Sequence, residues 1–358
     1  MNLNDAKECL DKVIRKGRVH LYKPIHIAEV LYRDRIYGDI DLSELETYRT
    51  RSRTWRDDVT VPLTGNCSTS SARYQDDVFN ENACPPEALV ALGEENRLKN
   101  GIVEAYIYSN FNDKHMQLNQ ALEYVLQCSY SDFNIRRFVS NFWREPGLKK
   151  SIDKVYEILV YALFTVLVDE LGVTVTVAMD EKKIDVLKEF EDFARTVILI
   201  DTNHMLHSSP ARIYRVGVCN AADRGLDMWA NFGPAVQVKH LSLDESLAGR
   251  ICDSISADRI IIVCRDTEKK VILSVLNQVG FKSRIQNIVM ESQLFDWYDR
   301  ALKGKFAKKM GPKLMQKIIG ELKIEFPSSE SSAFQNFIKA RGYIGLEDAR
   351  WSVAKRIG

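Results

Sequence analysis

Beyond residue 172 apolar runs of strand length alternate with longer amphipathic stretches, and that alternation admits few architectures. Strands are expected at 173–179 and 196–200 around a charged helix at 181–193. Further on come a helix at 243–254, a strand at 259–264, a helix at 267–279, a strand at 285–290 and a helix at 292–302. Such a succession predicts an α/β unit with parallel strands flanked by helices. Residues 151–171 form the most hydrophobic helix of the chain, and between Tyr156 and Val168 its one charge is Glu157. A helix apolar nearly all round is buried, so its carboxylate needs a partner. A metal ion shared with Asp227 is one candidate. Lys154, beside it in the first turn, is another.

Between those two regions lies the stretch NAADRGLDMWANFGPAVQVKHLSL, residues 220–243, which has the form of strand, Gly233-Pro234 turn and strand. Successive strand side chains point to opposite faces, so Ala235, Gln237 and Lys239 share one face while Val236, Val238 and His240 share the other. Asp227 precedes Gln237 by ten positions, a separation that a hairpin closes. One carboxylate, one amide oxygen and one ammonium then meet at the end of a hairpin. Oxygen ligands of this kind suit a hard cation such as Mg²⁺, and the backbone carbonyl of Val238 offers a further oxygen. Lys239 beside such a cation can orient or deprotonate a water and stabilise the charge that grows on a phosphate. An ordinary amphipathic strand, with Gln237 and Lys239 in solvent, accounts for the same spacing.

The N-terminal part reads as helical. Helices are expected at 5–16 and at 24–32, the second opened by Pro24, and a third from Asp41 as N-cap with Glu44 three residues on, as in a capping box. Short helices around a glycine-containing turn suggest a helix-turn-helix or winged-helix arrangement. Arg49, Arg51, Arg53 and Arg56 follow, interleaved with Tyr48 and Trp55, then an expected strand at 59–63 and a polar loop at 65–75 that carries Arg73. Arginines among Ser, Thr, Asn and Gln are what phosphate positioning and base readout require. A solvated helix paired with Asp57 and Asp58 has the same composition. His20 and His115 lack ligand spacing and read as structural or surface residues. Six lysines between 303 and 317 could follow phosphates or line a solvated helix. Residues 327–332 read as a linker before a short helix at 333–340.

With 358 residues and a formal charge of +1, the chain can bury a large core but has no global basic signature. A DNA-binding surface must therefore come from local clustering. Seven cysteines, odd in number and without a C-x-x-C, argue for reduced thiols in a cytoplasmic protein. No G-x-G-x-x-G or Walker loop occurs. The longest apolar run, 158–168, is too short to span a bilayer, so no membrane partner is expected.

Taken together, a buried helix with Glu157, then Gly225-Leu226-Asp227 and Gln237-Val238-Lys239, resembles the PD-(D/E)XK nuclease superfamily in the variant with glutamine at the second acidic position. Longer strings, RVHLYKPIHIAEVLY at 18–32, STSSARYQDD at 68–77, SIDKVYEILVYALF at 151–164 and the whole of 220–243, resemble the HaeII-type restriction endonucleases across residues 1–327. The resemblance implies an α/β fold: a PD-(D/E)XK core, a mixed central sheet flanked by helices, at 148–326. It is joined to a mainly helical, helix-turn-helix or winged-helix-like DNA-recognition region at 1–147 and a C-terminal linker and helix at 327–358. It implies a type II enzyme of a restriction-modification system that cuts double-stranded DNA with Mg²⁺ at a short palindrome, RGCGCY for the namesake. A homodimer would cut both strands, and a cognate methyltransferase would act on the same site. Asp227, with Asp223 as second candidate, matches the first acid, Gln237 the substituted position and Lys239 the lysine. Glu157 matches the acid that some members carry on the first core helix. With Val238 these form the expected catalytic and metal-binding set, and Arg49, Arg51, Arg53, Arg56 and Arg73 the expected guanine-reading arginines. A DNA-binding regulator without cleavage, or a modification-dependent or structure-specific nuclease of the same fold, would share most of these features.

Overall fold

The computed structural model describes residues 1–65, 78–145, 147–216, 226–242, 245–255, 257–266, 285–326 and 331–352. The chain divides into two compact units, one of residues 1–155, 218–221 and 319–358, the other of 156–217 and 222–318. No helix among the described residues is long and apolar enough to cross a membrane.

The described part of the first unit is helical. Helix α1 (Leu3–Lys16) turns Ala6, Leu10, Val13 and Ile14 inward, and the Asn2 side chain caps it by accepting from the Asp5 N–H at 3.0 Å. Its last carbonyls are closed by Lys114, whose Nζ donates to Ile14 O and Gly17 O at 3.0 and 2.8 Å. Helix α2 (Tyr22–Tyr37) starts two residues before Pro24 and is buried along most of its length. No helix begins at Asp41: its side chain accepts from the Ser43 N–H and hydroxyl, making a local turn that leads only to a 3₁₀ turn at Leu45–Thr47. The expected strand at 59–63 is instead the end of helix α3 (Ser52–Thr64), Pro62 included. Burial explains the difference. Val59, Thr60, Leu63 and Thr64 point inward at helical spacing while Val61 is exposed, so the apparent alternation of 59–63 was not a face at all. The described residues of this unit contain no strand, and a winged helix needs one.

Helices α4 (Pro86–Leu98), α5 (Ile102–Gln127) and α6 (Ile135–Arg144) complete most of this unit. Buried in it, Glu104 accepts two bonds from Arg35 at 2.9 Å, one from Asn96 Nδ2 at 2.5 Å and one from the Tyr343 hydroxyl at 2.5 Å. Glu29 is held similarly by Tyr108 and Arg341, although burial still pushes its carboxyl above the ordinary range. Residues 331–351 thus belong to this core, where Phe334, Tyr343 and Trp351 pack with the N-terminal helices.

Helix α7 (Ile152–Leu171) leads into a two-stranded antiparallel sheet of β1 (Thr174–Ala178) and β2 (Leu206–Pro210). The charged helix expected between them is broken into short turns, of which α8 (Ile184–Glu189) is the longest. The expected strand at 196–200 is a π turn, Ala194–Ile198, closed by Leu199 in the left-handed region at φ 64°. Ala194 and Ile200 face a small local core with Leu187, so this apolar run caps a turn rather than joining a sheet.

The main sheet has the order β3 (Ile213–Arg215), β4 (Met228–Ala230), β5 (Pro234–Ser242), β6 (Arg259–Arg265), β7 (Ile285–Met290). The first three strands pair antiparallel and the last three parallel, so the sheet is mixed. The β4–β5 turn needs Gly233 at φ 115°. Strand β6 is largely buried on both faces, which is why it reads as a near-continuous apolar run, whereas β5 carries Gln237 and Lys239 on one face. Helix α9 (Glu245–Ser254) lays Ala248 and Ile251 over Ala235, Ile260, Ile262 and Ile288. Helix α10 (Glu291–Lys303) sends the Tyr298 hydroxyl to the Leu159 carbonyl of α7 at 2.8 Å. The expected helix at 267–279 lies outside the described residues. Helix α11 (Ala307–Glu325) carries the lysine-rich stretch, and Lys309 and Lys313 both engage Glu170.

Two imidazoles buried in the first unit, His26 and His115, are both pushed down from 6.5 to about 3 by desolvation. The folded state keeps them neutral while the unfolded chain protonates them below 6.5, so stability falls as pH drops from 6.5 toward 3. Each should contribute a slope of about 1.4 kcal/mol per pH unit in that window. Urea titrations between pH 7 and 4.5 should show the midpoint falling, and His26→Gln with His115→Gln should flatten the fall.

Candidate active site

Asp227 sits immediately before β4, where its carbonyl accepts from the Val216 N–H at 2.9 Å and closes the end of the β3–β4 ladder. Met228 pairs with Val236 and Trp229 with Ala235, so the next row along brings Asp227 beside Gln237. The contact is made: Asp227 Oδ2 accepts from Gln237 Nε2 at 2.5 Å and from the Val238 N–H at 2.7 Å. Gln237 is buried inside the sheet and Lys239 is half-buried on the same face. In an extended strand the N–H and C=O of one residue point to the same flank. The Val238 carbonyl therefore looks toward the flank on which Asp227 lies.

These donors suit a hard cation. A half-turn of the Gln237 amide exchanges its N and O, which places Oε1 next to the Asp227 carboxylate where Nε2 now stands. Carboxylate, amide oxygen and peptide oxygen would then converge from one strand and its neighbour. No three His, Cys, Asp or Glu side chains gather at one point among the described residues, so a cation here would be held by a single carboxylate and neutral oxygens.

Glu157 lies elsewhere. Its Oε1 accepts from Arg215 Nε at 2.7 Å, and both side chains are buried. Arg215 pairs with Met228, and Met228 with Val236, which puts Arg215 on the sheet face opposite Gln237 and Lys239. The structure thus brings together Asp227, Gln237, Val238 and Lys239, and sets Glu157 behind them against a cation that sequence reasoning missed. Its signal was present: a lone charge on an apolar helix requires a counter-charge, and Arg215 is the one charged residue of the short apolar strand IYR. Also missed was the stacked pair Tyr214 and Trp229, with ring centroids 4.4 Å apart, one row from Asp227 on the Gln237 face.

Of the arginines, Arg49 pairs with Glu46 at 2.9 Å, Arg51 with Asp39 at 3.4 Å and Arg53 with Asp57 at 3.7 Å, all with exposed or partly exposed side chains. Arg56 is 0% exposed and bonded to Asp57 at 2.7 Å. Arg73 and Asp223 lie outside the described residues. His115 is buried and His20 half-buried in the first unit, their rings 5.7 Å apart.

Comparison with known proteins decides what this geometry belongs to. A family model described as HaeII restriction endonuclease matches residues 6–343. This chain belongs to the HaeII restriction endonuclease family. The type II restriction enzyme HaeII of Haemophilus aegyptius is 53% identical over 338 residues, which cover 94% of this chain and 96% of that protein. The type II restriction enzyme NgoBI of Neisseria gonorrhoeae is 51% identical, again over 94% of this chain and 96% of its own. No solved structure matches the chain. Membership at this identity and coverage makes the protein a type II site-specific deoxyribonuclease of a restriction system, and the regulator without cleavage is set aside.

The buried Glu157–Arg215 pair gives a structural test. Arg215→Met should destabilise the protein by about 3–5 kcal/mol by stranding a buried carboxylate. Adding Glu157→Leu should restore much of that loss, and a double-mutant cycle by urea denaturation measures the coupling.

Proposed function

We propose that this restriction endonuclease hydrolyses DNA phosphodiesters at the site built from Asp227, Gln237, Val238 and Lys239 in a PD-(D/E)XK-type core, with Mg²⁺ as cofactor. The observation that carries this reading is the Asp227 carboxylate bonded to both Gln237 and Val238, one residue before Lys239. Asp227, the Gln237 amide oxygen and the Val238 carbonyl would hold the cation. Mg²⁺, when bound, supplies positive charge at the scissile phosphate and acidifies water.

The residues do the rest. Lys239, half-buried beside apolar strands, donates hydrogen bonds that position the attacking water, whose proton passes to solvent. Its charge also faces the negative charge that grows on the phosphate. Burial of Gln237 and Val238 fixes the donors before substrate arrives, so little reorganisation is needed during attack. Glu157, closed against Arg215 on the opposite face, has a supporting role: it holds the helix at 152–171 to the strand beside the site.

For substrate we propose a short palindrome in double-stranded DNA, RGCGCY, cut by a homodimer whose two-fold axis matches that of the site. A methyltransferase that modifies the same sequence protects the host. Arg49, Arg51 and Arg53 have the exposure to reach phosphates or guanine edges, and Arg73, outside the described residues, is a further candidate. Arg56, buried on Asp57, supports the helix that presents Arg53. Residues 1–147, helical and carrying these arginines, serve as the recognition region, 148–326 as the catalytic domain and 327–358 as a C-terminal extension.

Digestion of unmethylated phage DNA with Mg²⁺ should give discrete fragments whose mapped ends report site and overhang. Lys239→Ala should slow cleavage by about 10²–10⁴-fold and Asp227→Ala at least as much, while anisotropy shows both still binding DNA. EDTA should abolish cleavage. An Asp227→Ala protein that cuts at the parent's rate would displace the proposed site. DNA cut only when methylated would replace the simple palindrome with a modification-dependent target.

Arg51→Ala and Arg53→Ala provide the second test. If each contacts a phosphate, either change should weaken binding across all sequences and make the slope of log K against log salt shallower by about 0.9. Loss confined to one base pair would instead mark a guanine contact.

A further inference from the structure

Exposed apolar side chains are not spread evenly over this molecule. Of the 21 large apolar residues that stand exposed among the described residues, nine fall between 171 and 206, about a tenth of the chain. They include Val177, Val186, Phe190, Phe193, Val197 and Leu199, and Phe193 is 56% exposed. Scattered exposed hydrophobes need no explanation, but a concentration of this kind marks an interaction surface. Leu199 adds to it: an exposed leucine held at φ 64° is in a conformation that only its surroundings maintain.

Within this segment β1 is an edge strand that pairs only with β2 among the described residues. It runs TVTVA, and no charge occurs from residue 171 to 179. Natural edge strands are usually blunted by lysine, proline or a bulge, and β1 has none of these. Its outward groups follow from parity. The Met179 N–H donates to Met205 O, and Val173 O accepts from Ala211 N, so the odd-numbered residues face β2. The N–H and C=O groups of Thr174, Thr176 and Ala178 therefore point away from β2, and four of the five β1 residues are exposed.

We propose that a second copy of this chain docks here, with the two β1 strands pairing antiparallel about a two-fold axis centred on Thr176. Identical strands paired antiparallel are related by a two-fold axis, which gives the closed, isologous contact of a dimer. Area supports this occupant: nine side chains of this size, about half exposed, offer on the order of 700 Å², close to the roughly 800 Å² per partner of a stable interface. Charge argues against DNA as the occupant, since residues 171–206 hold seven carboxylates against four lysines and arginines. That mixture of signs suits self-association. The proposal rests on the dimer reading above and locates its interface.

The test is sedimentation equilibrium of the full-length enzyme and of two variants. Thr176→Pro removes one outward N–H and no β1–β2 ladder bond. Phe193→Glu places a charge at an exposed position. The parent should sediment as a dimer at micromolar concentration, and each variant should raise the dissociation constant at least about thirtyfold while keeping the parent's circular dichroism. If Thr176→Pro fails to fold, Phe193→Glu decides alone. A dimeric parent whose folded variants associate equally well overturns this interface and leaves the dimer standing. A monomeric parent, its patch turned to another surface or to solvent, overturns both.

Discussion

One carboxylate oxygen organises the candidate site at the end of the sheet. Asp227 Oδ2 takes the Gln237 amide and the Val238 N–H at once, so a residue just before β4 is fastened to both the side chain and the backbone of β5. Everything near it depends on that fastening. The Val238 carbonyl faces Asp227 because its N–H does, and Lys239 rises on the Gln237 face because strand parity allows nothing else. The contact also sets the charge of the site. The oxygen donors Asp227, Gln237 and Val238 carry one formal negative charge between them, so a cation held there would draw the rest from a bound anion.

Behind the sheet, Glu157 and Arg215 form a closed pair in a setting where neither charge could remain alone. Buried ion pairs add little net stability but are costly to break. This one joins α7 to β3, the strand paired with β4, and so fixes the backdrop against which Asp227 is placed. The first unit uses the same device twice, at Glu104 and at Glu29, to lock helices that the hydrophobic effect alone would let slide.

Much of the catalytic unit was legible in the sequence because parallel central strands write themselves as apolar runs: RIIIVCR and IQNIVM, like the long helix at 151–171, lie within a residue or two of where their pattern puts them. The approach of Asp227 to Gln237 followed from hairpin spacing. What escaped were features decided by distant partners. Arg215 meets Glu157 across 58 positions, beyond any local pattern. Val59 to Leu63 looked strand-like because β-branched residues favour strands in isolation, yet tertiary burial of Val59, Thr60 and Leu63 on a helix overrode that preference. At 194–200 the apolar run served a small local core, and runs of that length do not say which.

The C-terminal segment has a consequence of timing. Tyr343 donates to Glu104, Arg341 pairs with Glu29, and Phe334 and Trp351 fill the same core, so the N-terminal helices emerge from the ribosome more than two hundred residues before the groups that complete them. A chain truncated before residue 341 keeps Arg35 and Asn96 on Glu104 and Tyr108 on Glu29 but leaves Glu29 without its guanidinium. The helical core is therefore closed by residues that are the last of it to be synthesised.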